Sequence, residues 1–313
     1  MVSDNKAFEP LDIKLFAPHD DEEDLFFKNL LLSLVGGEIT PDQAANDLDK
    51  WIVEKANKDF EERKKYPDPW NVPSPEDPSC VAPNPSGLIT CFFESFVRLG
   101  SAFPPGHTGQ DRLIQFLETL RAMPMHEVPN YLPNDPPEDW YHLLELWPFG
   151  GSWLGLTEVF RTEAEDCGYP YATFATLGSD MQVGWRNWQS FLARITALGF
   201  VDCSFLCSLE GILPQSILLA DSRISGDVIG GAQWILQPDS GAYVYRQCKA
   251  VEKVSELDSR AMWSLERWRQ WKVRLASVSS DTRFAPEVRE IAKSAVDRMV
   301  KLDTEDCSVA GSV

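Results

Sequence analysis

The chain has 313 residues, a formal net charge of −19, eleven tryptophans and seven cysteines. That length buries most of its apolar surface whether it forms one helical domain or two, and the charge repels phosphate backbones and anionic lipid, which excludes nucleic acid and membrane surfaces as partners. No apolar segment follows Met1, the run 203–220 is broken by Glu210, Gly211, Pro214 and Gln215, and the odd cysteines lack framework spacing, so neither a secretory signal, a membrane span nor a disulfide is expected, and the location is read as cytoplasmic.

Helical patterns dominate the chain. Asp20, Asp21, Glu22, Glu23 and Asp24 form one acidic run, which reads as a solvated face. The apolar spacing from Leu25 to Val35 then predicts a helix that stops at Gly36-Gly37. Thr40-Pro41-Asp42-Gln43 predicts an N-cap, a proline at the first helical position and a capping-box glutamine. Further helices are predicted over 87–99, 108–122, 138–147, 152–166, 180–199, 203–220, 226–236, 239–250, 257–277 and 285–302. Two proline-rich stretches, 66–87 and 123–137, interrupt them. Period-2 alternation is nearly absent, so the fold class is all-α, a single large multi-helix orthogonal bundle with proline-rich surface connections. The expected organisation is acidic N-terminal helices over 1–65, an arm or linker over 66–86, a helical core domain over 87–302 and a disordered tail over 303–313.

Several constellations invite a chemical reading. Asp20 to Asp24 match the letters D-D-x-x-D, by which class I terpene cyclases hold magnesium, but the best second set, Asp221, Ser225 and Ile229, lacks its final carboxylate. Glu138, His142 and Glu145 fall on one face if 138–147 is helical, either a metal half-site or a polar outer face. Cys203 and Cys207 stand one turn apart in apolar company, where thiols stay protonated. Gly150-Gly151-Ser152 opens a helix without a preceding strand or a lysine, which suits a close helix contact better than a phosphate loop. No metal and no cofactor is expected.

The lowest charge density lies between 167 and 220, where Asp180, Arg186, Arg194, Asp202 and Glu210 are the only charged residues. Glu210 is the one carboxylate from 203 to 220, and an acid in such surroundings finds a partner or becomes protonated. It is the candidate catalytic residue, with Arg194 as its expected partner. Trp185, Trp188, Tyr169, Tyr171, Trp234, Tyr243 and Tyr245 are the candidate walls of a ligand pocket around it. The plain alternative is a buried Glu–Arg pair that fixes helix register within an aromatic core.

Four segments in order carry a resemblance: Trp188 to Ile195, Gly231-Ala232-Gln233-Trp234-Ile235, Trp268-Arg269-Gln270-Trp271-Lys272, and Ala292 to Met299. Over roughly residues 85 to 300 the chain resembles a large fungal family catalogued only as a domain of unknown function. The resemblance implies an all-helical fold and a filamentous-fungal source, carries over no catalytic residues, and points toward natural-product gene clusters. The expected function is that of a soluble helical protein with an aromatic-lined pocket for an apolar small molecule, an accessory or cofactor-free tailoring protein. The rival expectation is a pocketless protein-interaction scaffold, and a remote one is a magnesium-dependent terpene cyclase.

Overall fold

A computed structural model of the chain describes residues 9–65, 82–131, 141–147, 156–166, 177–213, 221–254 and 261–310. The protein is a multi-helix, all-α fold, with one two-stranded sheet among the described residues. It divides into two compact units. Unit 1 comprises Met1–Ile13, Arg98–Gln110 and Phe160–Val313, and unit 2 comprises Lys14–Val97 and Asp111–Val159.

Unit 2 begins with helices whose ends are set by local chemistry. The Asp21 carboxylate accepts from the Glu23 and Asp24 amides and caps α1 (Glu22–Gly36), while Asp20 bonds Lys28 at 2.7 Å. The acidic run is therefore a helix start, with its charges in the turn where the helix dipole favours them. Gly37 ends α1 at φ 79°, and a Cβ there would lie 2.3 Å from the Arg112 guanidinium, which donates to the Val35 carbonyl. Only glycine meets both demands. Thr40 accepts from the Gln43 amide at 3.1 Å and starts α2 (Pro41–Arg63) as predicted. Asn84 accepts from the Gly87 amide at the start of α3 (Pro85–Ala102), which is followed by α4 (Thr108–Ala122). Phe27, Phe92 and Phe116 join α1, α3 and α4 through ring centroids 5.6–5.7 Å apart.

The helix predicted over 138–147 is replaced by a strand. β1 (His126–Tyr131) pairs antiparallel with β2 (Tyr141–Leu146), in the register Val128↔Leu144 and Tyr131↔Tyr141. In a strand His142 and Glu145 point to opposite faces, which dissolves the proposed half-site; Glu138 lies outside the described residues. So do the glycines 150–155 and residues 66–81 of the proline-rich arm.

α5 (Leu156–Asp166) follows. The remaining helices of unit 1 are α6 (Asp180–Ala197), α7 (Asp221–Leu236), α8 (Pro238–Ala250), α9 (Leu265–Ser280) and α10 (Pro286–Ala310). Ser179 and Ser264 cap α6 and α9. Asp303 joins α10 to α9 by accepting from Trp268 Nε1 at 2.9 Å and from Lys272 Nζ. α10 thus runs on to Ala310, beyond the end read at 302. No helix among the described residues is long and apolar enough to cross a membrane.

Candidate functional site

The run 203–220 does not form the predicted helix. Its described part makes two 3-10 turns, Ser204–Leu206 and Glu210–Ile212, and Asp202 accepts from the Ser204 amide at 3.0 Å, a local bond that competes with helix formation. Glu210 consequently reaches the surface, with its side chain 43% exposed, and bonds Arg267 Nη1 of α9 at 2.6 Å. The expected Glu210–Arg194 pair does not form. Arg194 Nη1 instead lies 3.4 Å from Gln110 Oε1. Cys203 and Cys207 flank the first turn as buried thiols whose ionisation is pushed up by burial, which suits them as small apolar groups.

The candidate pocket walls separate into groups. Trp185 and Trp188 stack at 5.5 Å and 16°, both buried, and Phe160 lies 6.4 Å from Trp188. Trp234 and Tyr243 meet on Trp263, at 5.8 and 6.5 Å, and Trp271 closes against the same ring. Trp263 precedes the start of α9, so it is free of that helix's phase and turns to the ring cluster instead. Tyr245 packs elsewhere, against Trp268. Tyr169 and Tyr171 lie outside the described residues.

What links these groups is a buried amide of α6. Gln189, buried on α6, accepts from Trp234 Nε1 at 2.7 Å and from the Ser208 amide at 3.2 Å, and donates to the Leu206 carbonyl at 2.9 Å. It is the polar joint between α6, α7 and the 204–212 turns. A lone glutamine between Trp188 and Leu192 was the available signal, since a buried amide persists only when bonded.

The buried acid of this region is Asp227 on α7. It is 1% exposed, its Oδ2 has no hydrogen-bond partner among the described residues, and Arg223 Nε stands 3.8 Å away. Burial pushes its carboxyl up to about 7, against the opposing field of Arg223. Sequence reasoning missed it because its flanking residues, Ser225 and Gly226, resemble a polar helix start.

Two cavities are bounded by described residues. In unit 1, a cleft of about 410 Å³ is lined by Leu11, Asp12 and Ile13, by Arg98 and Ser101 near the end of α3, and by Asp180, Met181 and Gly184 at the start of α6. Buried amides hold these walls. Asn187 donates to the Ser101 and Ala102 carbonyls, Leu11 donates its amide to Ala102 O, and Gln110 bridges Phe103 O and Asn187 O. The carbonyls that end α3 are thereby satisfied by α6 and by the 11–13 segment. In unit 2, a more open groove of about 510 Å³ runs between Asp49, Lys50, Val53 and Glu54 of α2 and the Met123–Pro124–His126 segment. Asp49 Oδ1 accepts from the Trp147 indole, His126 Nε2 lies 3.0 Å from the same oxygen, and Trp147 sits at φ 67°. Among the described residues no group of three or more His, Cys, Asp or Glu side chains is arranged to hold a metal ion.

The model of a family described as "Protein of unknown function (DUF3632)" matches residues 93–275, more than half of the chain. No curated protein and no solved structure matches. The chain belongs to that family.

Proposed function

We propose that this protein binds a small molecule, and that its site is the unit 1 cleft at the start of α6 rather than the Trp185–Trp188 stack. The carrying observation is the cleft itself, whose volume of about 410 Å³ falls within the range of about 300–1,000 Å³ usual for ligand sites. Its lining combines the apolar Leu11, Ile13 and Met181 with the charged Asp12, Asp180 and Arg98, which suits a small amphipathic molecule. The stacked tryptophans, by contrast, pack against one another and are buried, as core residues are. A role as an accessory or cofactor-free tailoring protein of fungal natural-product metabolism belongs to the same proposal and rests on the family resemblance, and a cytoplasmic location, also proposed, rests on the cysteine spacing and the apolar pattern of the sequence.

Met181 is the residue to change, being exposed at the cleft mouth. Native mass spectrometry of the intact protein, before and after incubation with a small-molecule extract, should show a bound species that Met181→Trp loses without a change in thermal midpoint. Equal retention by Met181→Trp, or a wild type that binds nothing, speaks against the cleft. A second reading, as an interaction module, draws on unit 2, where Met125 and Leu143 of the hairpin region are 63% and 54% exposed.

A further inference from the structure

The segment from Ser204 to Leu213 is held from three sides. Gln189 of α6 binds Leu206 O and the Ser208 amide, and α9 supplies Arg274 Nε to Ile212 O at 3.1 Å and Arg267 to Glu210. Its underside rests on α7. There Gly231 meets the backbone of Leu209, and a Cβ on Gly211 would lie 2.5 Å from Asp227 Oδ2. Ser208 Oγ, on the same face, is buried without a hydrogen-bond partner among the described residues, as is Asp227 Oδ2.

We propose that this contact is a proton-operated latch: with Asp227 neutral the 204–213 segment lies closed on α7, and with Asp227 ionised it lifts to admit water to the carboxylate. An ionised carboxylate that is buried without donors is strongly disfavoured, so the charge must be screened or hydrated. Screening falls to Arg223, the only cation among the described residues that lowers the Asp227 ionisation, and it is overcome by burial, which holds the carboxyl near neutrality. Among the described residues no second cation lowers the Asp227 ionisation: Arg283 pairs with Asp221 at the start of α7, and Arg289 of α10, its Nε buried, adds nothing to the field at the carboxyl. Glu210 of the segment turns to Arg267, and Arg274 is bonded to Ile212 O. α6 presents the uncharged Trp185 and Gln189 at Gly230, the inward residues of α10 include Val288, Ala292 and Ala295, and α8 buries Val244 and Cys248. Hydration remains, and the segment is the wall that yields. Its own backbone bonds, such as Gly211 N to Ser208 O, are local and survive lifting, so opening breaks the side-chain bonds from α6 and α9 and uncovers Leu209 and Ile212.

Linkage fixes the pH profile. The opened state ionises as an ordinary aspartate and the closed state near 7, so the opening constant rises about tenfold per pH unit from about 4 up to 7 and levels off above it. Amide hydrogen exchange of Ser208 on the full chain, corrected for the intrinsic pH dependence of exchange, reads that constant directly. Protection should fall about 50-fold between pH 5 and 7 and about twofold more by pH 8.5, where it levels off, whereas Asp227→Asn should be protected and pH-independent throughout. Gly211→Ala, which places a methyl group against the carboxyl, should exchange quickly at every pH. The same pH profile in Asp227→Asn, a wild type without the rise, or a Gly211→Ala protein as protected as wild type would each overturn the latch.

Discussion

The α1–α2 pair and the 203–213 segment with its helices are stabilised in opposite ways. In the first, each helix end is closed by a residue a few positions away: Asp21 on Glu23 and Asp24, Thr40 on Gln43, Gly37 on Leu34 and Ser33. In the second, the side chains that tie the turns and helices together reach across tens of residues: Gln189 to Trp234, Arg267 to Glu210, Arg274 to Ile212. The difference teaches where stability can be titrated. Local caps are exposed and worth little singly, while the contacts of Gln189 are buried and each atom left unpaired there costs its full desolvation.

The largest effect expected is on pH-dependent stability. The Asp227 carboxyl ionises near 7 in the folded chain, against 3.8 for an unperturbed aspartate, so between those values the native state keeps a proton that the unfolded state has lost. Its contribution is fully present below the unfolded value and is lost as pH rises through 7. A shift of that size corresponds to about 4 kcal/mol between pH 4 and 8. Urea unfolding of wild type and Asp227→Asn across that range isolates this term as their difference. A difference that stays constant with pH would show the carboxyl to be ordinarily ionised. The figure of about 4 kcal/mol holds for a segment that stays closed; because the opened latch hydrates the charge without unfolding, the plateau is expected below it and measures the cost of opening.

How legible the fold was follows the same division. The α1 stop at Gly36-Gly37 and the Thr40 cap stood in the sequence because their causes are local. The hairpin did not, because Tyr141-His142-Leu143-Leu144 carries no alternation and Pro129 sits within β1; pairing, not pattern, makes these strands. The apolar content of 203–220 predicts a helix, whereas its turns are fixed by Gln189, Asp202 and Arg274. The candidate acid went astray for that reason too. Glu210 had the apolar neighbours in sequence, whereas Asp227 has them in space.

Gln189→Leu keeps the volume of the joint and removes its hydrogen bonds. It strands the Trp234 indole, the Ser208 amide and the Leu206 carbonyl, and at about 1–3 kcal/mol for each unpaired buried group, partly recovered by relaxation, a loss of about 3 kcal/mol is expected. Chemical denaturation gives the number, and a near-neutral result would mean that water replaces the amide. Thr40→Ala, the matching change at a local cap, should cost about 1 kcal/mol. A Thr40 effect as large as that of Gln189 would erase the contrast between the two regions.

The smallest effect belongs to the residue that sequence singled out. Glu210 is 43% exposed and pairs with Arg267, itself 21% exposed, at 2.6 Å. Water competes for both groups, and a pair of this kind is worth about 0.2–1 kcal/mol. Glu210→Gln retains the side-chain shape and a hydrogen-bond acceptor, so its stability should fall within that interval, with the deficit shrinking in 1 M salt as the lost Coulombic part is screened. The contrast with Asp227 is then one of sign as well as size. Neutralising Glu210 removes a weak attraction and destabilises slightly, while neutralising Asp227 removes a buried charge and stabilises the protein at pH 8. Parallel unfolding curves for Glu210→Gln and Asp227→Asn at pH 8 test both signs, and a stabilised Glu210→Gln would return the desolvated acid to the surface turn where the sequence had placed it.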